Sequence, residues 1–125
     1  MHHLQTGQTG ENIALKYLQD KGYQILETNW RHGRAEIDII AKQDQSIVIV
    51  EVKTRTKGAL VLAEGAVNKK KRALLTNAAS AYLHQEDWRG ECRFDVIAIE
   101  IATKESFAVT HFEDAFFPNP TDDLW

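Results

Sequence analysis

The sequence predicts a mixed α/β domain in the order αβββαββ. Two segments place apolar residues at helical spacing, near residues 10–21 and 69–85. Five other stretches are rich in strand formers. One of these, Ile47-Val48-Ile49-Val50, is apolar on both faces, as expected for a central strand covered on both sides. At 125 residues, the chain is expected to form one domain with a core over about 10–116 and an irregular acidic tail over 117–125.

Each element has a local reason. Thr6 or Thr9 can cap a first helix that runs to about Lys21, and Gly22 is a natural stop. Ala14, Leu15 and Leu18 form its apolar stripe, and Glu11 shares that face. Glu11 would also lie in the first turn, where the helix dipole favours an acid. Tyr23–Trp30 and Ala35–Ala41 read as strands joined by a turn at Arg31-His32-Gly33. Ile47–Lys53 is the strongest strand, and Gly58–Gly65 reads as a loop. Asn68 can cap a second helix from about Lys69 to Gln85, with the stripe Leu74, Leu75, Ala78 and Tyr82. Lys71 falls on that stripe, one turn before Leu75, while Lys69, Lys70 and Arg72 fan outward. Arg93–Ile101 and Ser106–Phe112 complete the strands.

Composition narrows the function classes. No run of 18 apolar residues exists, so no membrane span is expected, and the N-terminus lacks the apolar core of a signal peptide. The single cysteine, Cys92, cannot form an internal disulfide, which fits a reducing, cytoplasmic setting. The net charge of −3 argues against a general nucleic-acid coat protein, but its distribution is uneven. Residues 53–72 hold seven bases against one acid, Glu64, giving +6, and the rest of the chain carries −9. Such a patch can meet a polyanion or can be a solvated face. Four bases opening a helix oppose its dipole, so Lys69, Lys70, Lys71 and Arg72 fit phosphate contact better than helix stability.

The stretch AEIDIIAKQDQSIVIVEVKTR carries charges inside two strands. Folded as a hairpin centred between Asp44 and Gln45, it sets Asp38 opposite Glu51, Glu36 opposite Lys53 and Ile40 opposite Ile49. Two opposed carboxylates repel and need a cation, a shared proton or the neighbouring lysine. A hard divalent ion takes few carboxylates, together with water and phosphate oxygens. Lys53 could orient an attacking water or offset charge on phosphorus. Two readings stand side by side: metal-assisted phosphodiester hydrolysis, or a buried ion-pair cluster of Lys53 with Glu51 and Asp38.

Asp38, followed thirteen residues on by Glu51-Val52-Lys53 and preceded by a helix carrying Glu11, resembles the PD-(D/E)XK nuclease superfamily. In layout it is similar to archaeal Holliday junction resolvases. GENIALKYLQDKGYQIL, AVNKKKRALLTNAASAYL and RFDVIAI add a closer resemblance to the bacterial YraN-like family, over about Gly10 to Phe116. The resemblance implies a restriction-endonuclease-like fold, with a mixed sheet and helices on both faces. It implies Mg²⁺ or Mn²⁺ at Asp38 and Glu51, with Lys53 catalytic and Glu11 able to complete the metal site. Glu36 matches an acidic position without an assigned role, Lys71 the lysine opening the second helix, and Arg55 a phosphate contact. Ile37 replaces the superfamily's proline, Ala35 a frequent glycine and Lys69 a frequent proline, and none of these removes a ligand. The expected activity is cleavage of DNA, branched or single-stranded, by a monomer or, by analogy, a homodimer. The alternatives are a nuclease-fold module that binds nucleic acid without cutting, and a protein adaptor.

Elsewhere the sequence carries less chemistry. His32, His84 and His111 lack metal-ligand spacing and read as surface or turn residues. Cys92 reads as a small buried residue, Asp95 as a structural one, and Trp30 and Trp88 as packing residues.

Overall fold

The structure, a computed structural model, describes residues 2–56, 69–103 and 105–115; the side chains of residues 2–8 and 69 lie outside that description. The elements are α1 (His2–Asp20), β1 (Gln24–His32), β2 (Ala35–Gln43), β3 (Ser46–Thr56), α2 (Lys69–Gln85), β4 (Glu91–Thr103) and β5 (Ser106–Phe112). The strands form one sheet in the order β1-β2-β3-β4-β5. All neighbours are antiparallel except β3 and β4, which run parallel with α2 in their connection. A parallel pair needs such a crossover. This is the expected αβββαββ order: a mixed sheet flanked by two helices, consistent with a restriction-endonuclease-like fold. Among the described residues, no helix is long and apolar enough to cross a membrane.

Alternation along β3 builds both layers. Val48 and Val50 pack with Ala14 and Leu18 of α1, and with Ile39, Ala41, Ile97 and Ile99. Ile47 and Ile49 pack with Leu75, Ala78, Ala79 and Tyr82 of α2, and with Ile37, Ile40, Phe94 and Val96. Both faces of the central strand are therefore covered, which is why it needs no outward polar residue.

The hairpins are tighter than the sequence suggested. Gly33, at φ +60°, turns the chain from β1 into β2, so Arg31 and His32 belong to β1. Asp44, at φ 54°, turns β2 into β3, in a left-handed conformation that aspartate tolerates. The β2–β3 register matches expectation, with Ile40 opposite Ile49.

The start of α1 is a correction. The helix begins at His2, so Thr6 and Thr9 lie within it and not at its start. A glycine weakens a helix by about 1 kcal/mol, yet Gly10 has a packing use. A Cβ there would come within 3.0 Å of Thr54 Cβ and overlap its hydroxyl. The missing side chain lets α1 lie directly on β3. Glu11 consequently sits in the third turn, beyond the reach of the N-terminal dipole. The expected loop Gly58–Gly65, the Asn68 cap and the acidic tail lie outside the described residues.

Candidate functional site

The site forms where β2 parts from β3. Pairing between the two strands runs from Gln43↔Ser46 to Ile39↔Val50, whereas β3 continues beside β4 as far as Thr56↔Ile101. Residues two apart on a strand normally share a face, yet Ile37 packs on the α2 side and Ile39 on the α1 side. The alternation of β2 thus breaks at Asp38. The expected direct opposition of Asp38 to Glu51 and of Glu36 to Lys53 does not occur, because the strands have already separated. Instead, the Val52 N–H donates to Asp38 Oδ2 at 2.8 Å. The carboxylate of one strand takes a backbone donor of the other.

Glu51 follows Ile47 and Ile49 on the α2 side and is 4 % exposed. Its Oε2 meets Lys53 Nζ at 3.5 Å and the Nζ of Lys71. Lys71 reaches it because it lies on the helix face that buries Leu75, one turn on. A buried carboxylate is costly unless paired, and here two ammonium groups from a strand and a helix pair it.

These charges shift one another. Burial and the neighbouring Glu51 charge push Asp38 up to about 7, against the opposing pull of the Val52 N–H. Glu11 adds to that push and Lys71 opposes it. Burial and the adjacent Lys71 lower Lys53. Burial would also lower Lys71, but its contact with Glu51 outweighs that and leaves it raised. One acid resists ionising and one lysine gives up its proton more readily than usual, which is the environment that active sites use.

The other expected residues divide. Both oxygens of Glu11 accept from Asn29 Nδ2 at 3.3 Å, and its charge is felt at Asp38. Among the described residues no set of three or more histidines, cysteines or acids is grouped as a metal cage. Asp38 and Glu51 do fit the smaller demand of Mg²⁺, which binds through one or two carboxylates and keeps several waters. Glu36 pairs with Arg31 at 3.7 Å. Arg55 turns back to donate to the Thr54 carbonyl at 3.0 Å. Lys70 is exposed and Lys71 half-buried; Arg72 is half-buried too, not fanned into solvent as expected. The side chain of Lys69 lies outside the description.

A family model described as "Uncharacterised protein family UPF0102" matches residues 10–99. The chain belongs to the UPF0102 family. A UPF0102 protein of Flavobacterium psychrophilum is 45% identical over 115 residues, covering 92% of this chain and 96% of the relative. One from Porphyromonas gingivalis is 43% identical over 115 residues, covering 91% and 85%. This is the YraN-like family that the sequence resembles. The UPF0102 match spans Glu11, Asp38, Glu51, Lys53 and Lys71 and ends before His111.

A second charged cluster, on the α1 side of this UPF0102 domain, escaped the sequence reading. Asp95 is fully buried. It accepts from Arg93 Nε and a terminal guanidinium nitrogen at 2.9 Å each, and from the Asp114 N–H at 3.1 Å. His111 Nε2 lies 2.6 Å from Asp95 Oδ2, and its Nδ1 is 3.1 Å from the Tyr17 hydroxyl. Arg93 also donates to the Tyr23 hydroxyl at 2.8 Å. His111 is therefore a buried tie between β4, β5 and α1, not a surface residue. The legible signal was that Arg93 and Asp95, two apart on one strand, share a face. Cys92 is half-buried, and burial raises its thiol to about 11, which suits packing rather than nucleophilic attack.

Proposed function

We propose that this protein is a Mg²⁺- or Mn²⁺-dependent endonuclease of the PD-(D/E)XK superfamily, hydrolysing phosphodiester bonds in branched or single-stranded DNA. The observation that carries this reading is the convergence of Asp38, Glu51 and Lys53 at the point where β2 leaves β3. Asp38 and Glu51 are the two groups that would hold the ion, which would supply positive charge to the phosphoryl oxygens when bound. Lys53, kept close by Glu51, is placed to orient the water that attacks phosphorus and to offset charge there. Its lowered pKa makes it a readier proton donor than an ordinary lysine. Lys71 holds Glu51 in place and would share it with the ion.

The test is calorimetric titration of Mn²⁺ into the wild type and Asp38→Asn, with cleavage assays of Asp38→Ala, Glu51→Ala and Lys53→Ala. Saturable binding lost in Asp38→Asn, with cleavage lost in all three folded variants, is the expected result. Full activity in all three would sink the proposal.

The contact between Lys71 and Glu51 favours one competing reading, since it already neutralises a ligand carboxylate. In that reading the domain recognises DNA without cutting it. Salt-sensitive binding would then persist in chelator, and no turnover would appear with any divalent ion.

A further inference from the structure

A groove runs between α2 and the β1–β2 hairpin. A cavity of about 590 Å³ is lined by His32, Arg34, Asn77, Ser80 and His84. A second, of about 280 Å³, is lined by Arg34, Glu36, Lys70 and Lys71. The two share Arg34, Ala35 and Leu74, so they are contiguous. Lys71 lines the smaller one and its ammonium grips Glu51, so the groove adjoins the candidate catalytic centre.

Three properties indicate what fits. The charge is positive: Arg34, Lys70 and Lys71 face Glu36, and Glu36 is met by Arg31 at 3.7 Å. An aromatic platform is built in. The exposed His32 ring lies parallel to Trp30, at 5° and 6.2 Å, and Trp30 abuts the buried Tyr82 edge-on at 5.2 Å. Asn77, Ser80 and His84 supply donors and acceptors along the wall. The volume is that of a small-ligand pocket. A continuous duplex cannot enter it, but a nucleotide out of its stack can, with its π-face on an aromatic ring.

We propose that this groove binds an unpaired nucleotide flanking the cleaved phosphate, with its base against His32 and its phosphate on Arg34 and Lys70. The inference rests on the nuclease reading for its place in catalysis and narrows the substrate to strands with unpaired nucleotides beside the scissile bond.

Fluorescence anisotropy in chelator, with a labelled single-stranded oligodeoxynucleotide and a blunt duplex of the same sequence, tests it. Wild type should prefer the single strand. His32→Ala should weaken that binding about tenfold, as loss of one stacked base does, and leave duplex binding unchanged. Arg34→Ala should weaken it too and flatten the salt dependence by about one phosphate contact. Lys16→Ala, an exposed base on α1 across the sheet, should change nothing. Both groove residues are exposed, and circular dichroism checks that the variants fold. Wild-type affinity in His32→Ala and Arg34→Ala would overturn the groove, as would preference for the duplex, or displacement of the oligonucleotide by an acidic peptide from this face. Cleavage separates the two proposals. If wild type cuts and Asp38→Asn does not, while His32→Ala binds normally, only the groove fails. If nothing cuts but single-strand affinity still depends on His32 and Arg34, the groove stands and the nuclease reading falls.

Discussion

Lys71 of α2 reaches across the helix–sheet interface to Glu51, a carboxylate buried in the central strand. The contact ties the second helix to the candidate catalytic strand, and it makes Glu51 dependent on a residue eighteen positions beyond Lys53. Among the described residues, Lys71→Met leaves Glu51 the ion pair with Lys53, 3.5 Å away. Breaking a buried pair costs about 3–5 kcal/mol. Lys71 is 36% exposed, so part of that is screened, and a loss of about 1–3 kcal/mol is expected. Urea unfolding measures it. Adding Glu51→Gln should recover most of the loss, giving a coupling above about 0.5 kcal/mol in the double-mutant cycle. Independent, additive effects would mean the contact contributes no stability.

Asp38 makes stability fall as pH rises. Its carboxyl ionises near 7 in the fold, against an ordinary value of 3.8. Below pH 4 the group is protonated in both states and costs nothing. Between pH 4 and 7 the unfolded chain ionises while the fold resists, so stability drains away, and above pH 7 the loss is complete. At ~1.4 kcal/mol per pKa unit, the loss is about 2–4 kcal/mol. Asp38→Asn keeps an oxygen for the Val52 N–H and cannot ionise. In chelator it should therefore match wild type at pH 4 and exceed it at pH 8. Parallel stability curves for the two proteins would show that Asp38 is not strained in the fold.

How far the site was legible depends on the distance over which each signal acts. Glu51-Val52-Lys53 on a strand apolar on both faces needed only the two-residue alternation of that strand. Lys71 on the buried stripe of α2 needed only helical spacing from Leu75. The parting of β2 from β3 at Asp38 was not legible. The hairpin register is right up to Ile39↔Val50, but where a pair ends depends on partners beyond the pair, and here β3 stays with β4. His111 and Asp95 are sixteen residues apart and meet only because β5 folds back on β4. No local pattern carries such a contact. Glu11 was read in a first turn because Thr6 and Thr9 look like caps; the helix starts upstream, and its neighbour Gly10 has a tertiary purpose.

The Asp95 cluster has the opposite pH sense. Burial alone would raise Asp95, but donors from His111, Arg93 and the Asp114 N–H outweigh it and hold the carboxyl below its ordinary range. The stability this supplies is fully present above the unfolded pKa of about 3.9. It is lost as pH falls through the folded value. Asp95→Asn leaves Arg93 only the more distant, exposed carboxylate of Glu113 at 3.8 Å, and a loss of about 3–5 kcal/mol at pH 7 is expected from breaking the buried pair. The difference from wild type should shrink as the pH of the unfolding experiment is lowered toward 3. A pH-independent difference would place the cost in packing rather than in charge.

Gly10 sets how closely α1, and with it Glu11, approaches β3. Alanine is the better helix former by about 1 kcal/mol, so Gly10→Ala on an open helix face would stabilise. Here the new methyl meets the β-branched Thr54 side chain, with Cβ–Cβ at 3.0 Å and Cβ–Cγ2 at 3.1 Å. Threonine can rotate its hydroxyl away but cannot move its Cβ without moving β3. Overpacking of this kind costs about 1–3 kcal/mol, and Gly10→Ala should lower the urea midpoint despite its propensity gain. Thr54→Gly removes the obstructing atoms, so the double variant should be more stable than Thr54→Gly alone. That reversal of sign distinguishes a steric limit from a requirement for backbone freedom. If Gly10→Ala destabilises equally in both backgrounds, the close approach of helix and strand is not what the glycine is for.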